Sequence, residues 1–169
     1  MSGKVSGNTL PARLEGTKLQ VQGQAQPSLD RISDLVCREL IGKAMEMRKM
    51  AYAPYSHFSV GAALLSKGNK IFGGCNIENA AYSPSNCAER TAFFKAVSEG
   101  VREFAAIAIV GGGEEGIREF CPPCGVCRQV MMEFCDPKTF CVILARSVDD
   151  YWIYTLEELL PMGFGPGNL

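Results

Sequence analysis

The stretch "NCAERTAFF", residues 86–94, decides how this chain is read. It has the period of a helix that begins after Ser85 or Asn86, either of which can cap it, and that stops at Gly100. On such a helix Glu89 shares a face with Phe93 and Ala96, while Lys95 and Glu99 lie opposite. The chain thus turns a carboxylate towards its apolar side, beside the thiol of Cys87. Burial opposes a carboxylate's charge and raises its pKa, so a carboxylate in that position asks for a chemical reason.

The segments around this helix place it in an α/β chain. "HFSVGAALLS" (57–66) and "KIFGGCNIEN" (70–79) flank the turn Lys67-Gly68-Asn69 and predict a β-hairpin. "FAAIAIVGG" (104–112) is a continuous apolar strand, and "TFCVILA" (139–145) and "YWIYT" (151–155) are two more, joined near Asp149-Asp150. A helix from near Cys124 to Phe134 carries Cys127, Met131 and Phe134 on one stripe. An earlier helix, from about Leu29 to Tyr52, sets Ile32, Leu35, Val36, Leu40 and Met47 on one face, which Glu39 and Lys43 interrupt. Thr155 and Glu158 form a capping box for "LEELL" (156–160), stopped by Pro161. Five strands interleaved with helices imply one sheet covered on both faces. Residues 1–28, rich in Gly and Gln and without a clean period, read as a flexible extension to one domain over 29–169.

Composition narrows the function classes. The chain has 169 residues, 47% hydrophobic and 21% charged, with a formal net charge of −1, so it lacks the basic footprint of a nucleic-acid binder. No apolar run approaches membrane-spanning length. No apolar leader stands at the N-terminus, and Lys4, Arg13 and Lys18 are too sparse for a targeting presequence. Eight cysteines, three of them in "CPPCGVC" (121–127), suit metal or redox chemistry in a reducing compartment, which predicts a cytoplasmic protein.

Cys124 and Cys127 have the spacing that lets two thiolates meet one ion at a helix start. A lone CxxC also serves redox sites, and Cys121 could close a structural Cys₄ zinc site. Cys87, at another helix start, adds a third thiolate under a second positive dipole end. Glu89 separates the readings. A closed structural site has no use for a carboxylate driven into its apolar surroundings. A hydrolytic site does, because zinc lowers the pKa of a bound water from 15.7 to about 7 and a carboxylate must then move the protons. Cys-x-Glu followed by Pro-Cys-x-x-Cys is the zinc-deaminase pattern, with Cys where His often stands.

"YAPYSHFSVGAAL" (52–64), "GGCNIENAAYSPSNCAERTA" (73–92), "PPCGVCRQVMMEF" (122–134) and "ELLPMGFGP" (158–166) resemble the small, homotetrameric cytidine deaminases over roughly residues 30–166. The resemblance implies a three-layer α/β/α fold with a mixed five-stranded sheet and one zinc per chain. It places Cys87, Cys124 and Cys127 as zinc ligands and Glu89 as the acid–base residue. It gives Asn76 and Glu78 the ribose 3′-hydroxyl, with Ala80 and Tyr82 lining the same pocket and Ala88 among the substrate contacts. Phe58 is implied to touch the pyrimidine, and Phe164 to enter a neighbouring subunit's site. "AAYSPSNC" (80–87) departs from the commoner wording of its loop, and Cys121 is an additional thiol.

Chemistry supports several of these positions. An Asn–Glu pair offers a donor and an acceptor to a hydroxyl that is both. Three thiolates leave a zinc centre negative, and Arg90 and Arg128 stand next to ligands where they could donate to the sulfurs; the bland alternative is that both form ordinary ion pairs. His57 is expected to make a structural hydrogen bond, Cys37, Cys135 and Cys141 to be core thiols, and Cys75 to support the pocket wall. The expected reaction is hydrolysis of cytidine and 2′-deoxycytidine to the uridine counterparts and ammonia, in pyrimidine salvage, with the Pro123 carbonyl accepting from the departing amino group. The rivals are a deaminase of another cytosine compound, a polynucleotide-editing deaminase, and a closed Cys₄ module without turnover.

Overall fold

In the computed structural model, residues 14–15 and 32–169 are described. The long elements run β2 (Ser59–Ser66), β3 (Ile71–Cys75), α2 (Ala88–Ser98), β4 (Phe104–Gly112), α3 (Gly125–Phe134), β5 (Cys141–Ser147) and β6 (Asp150–Thr155). They follow α1 (Asp34–Arg48), and the short α4 (Leu156–Leu159) comes after β6. The five strands β2–β6 form the expected mixed sheet. A two-residue strand β1 (Leu14–Glu15) extends it, pairing antiparallel with β6, so the order is β1-β6-β5-β4-β2-β3. That pairing falls within the segment read as a flexible extension; the rest of residues 1–28 lies outside the described residues.

Only β4 and β5 pair in parallel; every other neighbouring pair is antiparallel. β2 lies between β3 and β4 and is antiparallel to both, so β3 and β4 run the same way. The crossovers β3–α2–β4 and β4–α3–β5 therefore start alike, each from a strand's C-terminal end, and put α2 and α3 on one face. Strand alternation divides the core accordingly. Ala62, Leu64, Ile107, Ile109, Val142 and Leu144 pack with α2, α3 and α4. Ala63, Ala106, Ala108, Ile143 and Ala145 pack with α1. This explains why β4 reads as an unbroken apolar run: it is buried on both faces.

Local details correct three expectations. α1 begins at Asp34 because Ser33 caps it, its hydroxyl accepting from the Val36 N–H at 3.4 Å. Its buried stripe is Cys37, Leu40, Ile41 and Ala44, whereas Leu35 is 78% exposed. α2 starts one residue later than expected: Cys87 is its cap, and Asn86 instead donates from Nδ2 to Thr91 Oγ1 at 3.1 Å. Gly100, with φ +85°, ends that helix as the sequence indicates. The Thr155–Glu158 capping box forms as read.

The docking of α2 depends on Gly74 in β3. A Cβ there would lie 2.3 Å from the Ala88 carbonyl oxygen and 2.5 Å from the Ala92 nitrogen. Only glycine allows the first turn of α2 to come so near the sheet.

Candidate active site

The two crossovers deliver thiols to one point. Cys87 is the N-cap of α2, Cys124 is the N-cap of α3, and Cys127 lies in the first turn of α3. Neither capping cysteine makes a side-chain cap hydrogen bond, so neither sulfur is tied to its own helix start. Sγ of Cys124 is 3.8 Å from that of Cys87 and 3.5 Å from that of Cys127, and all three lie within 4.8 Å of one another. Tetrahedral zinc with bonds of about 2.3 Å needs sulfur–sulfur edges of about 3.8 Å. The trio fits that ion.

Cys121 stands outside the trio. Its Sγ lies over Gly111, where a Cβ would come within 2.6 Å of it and within 3.0 Å of Cε1 of Phe58. The Phe58 ring and the Cys121 thiol therefore meet above a glycine, and burial pushes that thiol up to about 11. The sequence offers no fourth thiolate that the fold brings to the cluster among the described residues.

Electrostatics separate the three thiols. Cys87 is pulled down to about 5, first by a hydrogen bond with Cys127 and, against burial, by Arg90 and Cys124. Cys127, facing that thiolate and buried, is pushed up. A bound dication removes the need for the two to share a proton. Nη2 of Arg90 lies 3.6 Å from Sγ of Cys87 and donates to the Ser85 carbonyl at 3.3 Å, as its position suggests. Arg128 differs from expectation: it donates to the carbonyls of Pro123 (2.7 Å) and Leu159 (2.5 Å), tying α3 to α4, and not to a sulfur. The Pro123 carbonyl accordingly keeps one lone pair for any further donor.

Glu89 is 4% exposed, on the face of α2 that also buries Ala88, Ala92, Phe93 and Ala96. Burial pushes its carboxyl up to about 7, and the neighbouring Cys87 adds in the same direction. It is one of two buried polar residues among the described ones, the other being Ser66. A carboxyl that titrates near neutrality can both take and give a proton.

The remaining candidates lie on loops. Asn76 is half-buried, not buried: Oδ1 accepts from the Val60 N–H and Nδ2 donates to the Phe58 carbonyl, both at 2.8 Å. The second Nδ2 hydrogen is left for a ligand. Glu78, also half-buried, accepts at Oε2 from the N–H groups of Tyr55 (2.9 Å) and Ser56 (3.2 Å). The Ser56 hydroxyl and these N–H groups hold its carboxyl below the usual range. Ile77 and Asn86 exchange two backbone hydrogen bonds of 2.9 Å, closing the base of the loop that carries Ala80 and Tyr82. Ala80 is exposed and Tyr82 is 78% exposed, at φ +54°. Phe164 is 59% exposed, and its carbonyl accepts from Gln129 at 2.9 Å. The tail is thus fixed to α3 while its ring points away from the core. His57 pairs with Glu114 at 3.2 Å and takes no part in the trio. Cys75 donates to the Met50 carbonyl at 3.4 Å, beside Asn76. Gly111 is the site residue the sequence reading passed over; the run "VGGG" at a strand end was its signal.

An α/β sheet whose helix starts gather three thiols at the spacing a zinc ion would need, with a buried carboxyl alongside, defines a zinc-dependent hydrolytic enzyme. Residues 37–143 match the family described as the cytidine and deoxycytidylate deaminase zinc-binding region. Cytidine deaminase of Sporosarcina psychrophila is 50% identical over 78% of this chain and 93% of its own. That of Halalkalibacterium halodurans is 50% identical over 74% and 91%. The crystal structure of cytidine deaminase from Burkholderia pseudomallei superposes with a TM-score of 0.68 at 48% identity, covering 75% of this chain and 97% of that one. The chain belongs to the cytidine deaminases.

Proposed function

We propose that Glu89 carries the proton transfers of hydrolytic cytidine deamination here, and that Cys87, Cys124 and Cys127 hold one zinc per chain. The near-complete burial of Glu89 beside the trio carries this reading. Zinc, when bound, supplies a water acidic enough to be deprotonated near neutral pH. Glu89 takes that proton and delivers one to pyrimidine N3. The oxygen adds at C4 and the C4–N4 bond breaks. Glu89 takes the second proton from the added oxygen and gives it to the leaving amine, so cytidine and water give uridine and ammonia. Arg90 offsets the negative charge of the thiolates, and the Pro123 carbonyl accepts from the departing amino group.

Substrate contacts follow from the loops. Asn76 and Glu78 take the ribose 3′-hydroxyl as acceptor and donor, Ala80, Tyr82 and Ala88 line the pocket, and Phe58 packs on the pyrimidine. The polar pair is assigned to the 3′-hydroxyl and no residue to the 2′-hydroxyl, so 2′-deoxycytidine is taken as a substrate too. The exposed Phe164, on a tail anchored only by its backbone, enters a neighbouring subunit's pocket in a homotetramer. The thiolate-rich centre suits the reducing cytoplasm, and the reaction suits pyrimidine salvage. No helix among the described residues is long and apolar enough to cross a membrane. Metal analysis combined with a cytidine turnover assay tests the reading: one zinc per chain and equal yields of uridine and ammonia are expected. Tight zinc without turnover would sink it.

A further inference from the structure

The segment from Ala53 to Val60 carries Phe58, yet its polar backbone is answered from outside by three side chains: Arg48 donates from Nε to the Ser59 carbonyl at 3.1 Å, and two others grip the turn itself. Glu78 receives the N–H groups of Tyr55 and Ser56, and Asn76 receives the Val60 N–H while donating to the Phe58 carbonyl. Between these grips His57 adopts φ +54°, a conformation that L residues adopt at a cost, and its N–H donates to the Ala53 carbonyl at 3.1 Å. Such a turn persists only when its surroundings hold it. Beneath it, Gly111 leaves the Phe58 ring no room to sink further.

We infer that Asn76 and Glu78 are positioning residues for Phe58, so that one pair of side chains both reads the sugar and sets the ring that packs on the base. The inference rests on the proposed ribose and pyrimidine contacts but goes beyond them. A residue that merely bound the 3′-hydroxyl would be indifferent to the base pocket. Here each side chain spends part of its hydrogen-bonding capacity on the sugar side and part on the loop, using different atoms or hydrogens for each. Loss of Glu78 would free two N–H groups and let the turn at His57 relax. The ring would then leave its place even for a ligand with no 3′-hydroxyl.

The test measures dissociation constants of cytidine and 3′-deoxycytidine by calorimetry, using full-length zinc-loaded protein in a Glu89→Gln background so that substrate persists. Glu78→Ala should weaken 3′-deoxycytidine about tenfold, the size expected for lost hydrogen bonds to a charged acceptor. Glu78→Gln should recover most of that, because its amide oxygen still accepts from Tyr55 and Ser56. Once Phe58→Ala is present, adding Glu78→Ala should change 3′-deoxycytidine binding less than about twofold, as expected when one residue acts through the other. An unchanged constant for 3′-deoxycytidine in Glu78→Ala, or equal losses with and without Phe58, would overturn the inference. If the parent binds cytidine and 3′-deoxycytidine equally while the Phe58-dependent loss remains, the ribose assignment fails and the positioning role stands. Should Glu78→Ala not fold, Asn76→Asp gives the same reading: it keeps the acceptor for Val60 and loses the donor to Phe58. Its penalty on 3′-deoxycytidine must then vanish when Phe58 is absent, or the inference is wrong.

Discussion

On the α1 face of the sheet, Cys37 and Cys141 are sealed among aliphatic side chains, and burial pushes the Cys37 thiol up to about 12. On the opposite face Cys87 is pulled down to about 5, although it too is partly buried. The helices differ in the same way. Ser33 caps α1 with its hydroxyl, whereas α2 and α3 begin at cysteines that make no side-chain cap bond. A helix start answered by a hydroxyl has one N–H fewer for an anion. One left to a sulfur keeps its N–H groups for charge. Position on the helix, and the cation beside it, decide whether a cysteine is packing or chemistry.

Cys124→Ser tests that contrast most severely. It should lose zinc and with it all measurable turnover, while Cys37→Ala and Cys121→Ser should keep one zinc per chain by metal analysis. Equal zinc loss from Cys121→Ser would mean that the trio is a quartet. Glu89→Gln comes next: zinc and nucleoside binding should persist while kcat falls ~10²–10⁴-fold, the usual worth of a positioned acid–base group. Near-normal kcat would remove Glu89 from the chemistry.

Phe164→Ala should weaken cytidine binding by roughly 1–3 kcal/mol, as for loss of a base–aromatic stack, and leave zinc intact. Refolded together with Glu89→Ala chains, it should regain tighter apparent binding at sites that combine an intact Glu89 from one chain with an intact Phe164 from another. Mixed oligomers, confirmed by mass, that behave as diluted Phe164→Ala would show that each chain serves itself.

A smaller effect concerns stability without metal. Glu89 titrates at about 7 in the fold against an ordinary 4.5. Its raised value favours the protonated fold, so its contribution is complete below about 4.5 and is lost as pH rises through about 7. Cys87, lowered from 9.0 to about 5, runs the other way over an overlapping window. The difference between chelator-treated Glu89→Gln and parent isolates what Glu89 contributes. The variant's Tm advantage should grow by several degrees from about pH 5 to about pH 8. A constant difference would show that Glu89 is not desolvated. Least of all, deleting residues 1–26 should leave kcat unchanged and lower Tm only slightly, since among the described residues it removes the two-residue pairing with β6. A large loss of activity or of oligomer would show that this segment does more.

Much of this was legible in the residues because the signals were periodic or local. Strands β2–β6, the Thr155–Glu158 box, the stop at Gly100 and the facing of Glu89 each follow from a spacing or a turn residue. The errors arose where a tertiary partner decided. Leu35 fits an apolar face by count, yet Ser33 fixes where α1 begins and Gly61 of β2 receives the helix at Ala44 and Arg48. Arg128 sits beside a ligand in sequence, but the carbonyl ends of Pro123 and Leu159 lie nearer. The grip of Asn76 and Glu78 on the Phe58 turn has no sequence signature, since hydrogen bonds to distant backbone depend on no particular residue there.

The double hydrogen bond between Ile77 and Asn86 has a meaning for redesign. It pinches the loop at its base, so what lies between the two residues is hung on the protein at a fixed pair of points. The thiolates, held at helix starts, stand outside that loop. Residues 79–84 are therefore the stretch to exchange when asking what the loop admits, whereas Ser85, whose carbonyl accepts from Arg90 beside Cys87, belongs with the thiol trio and stays.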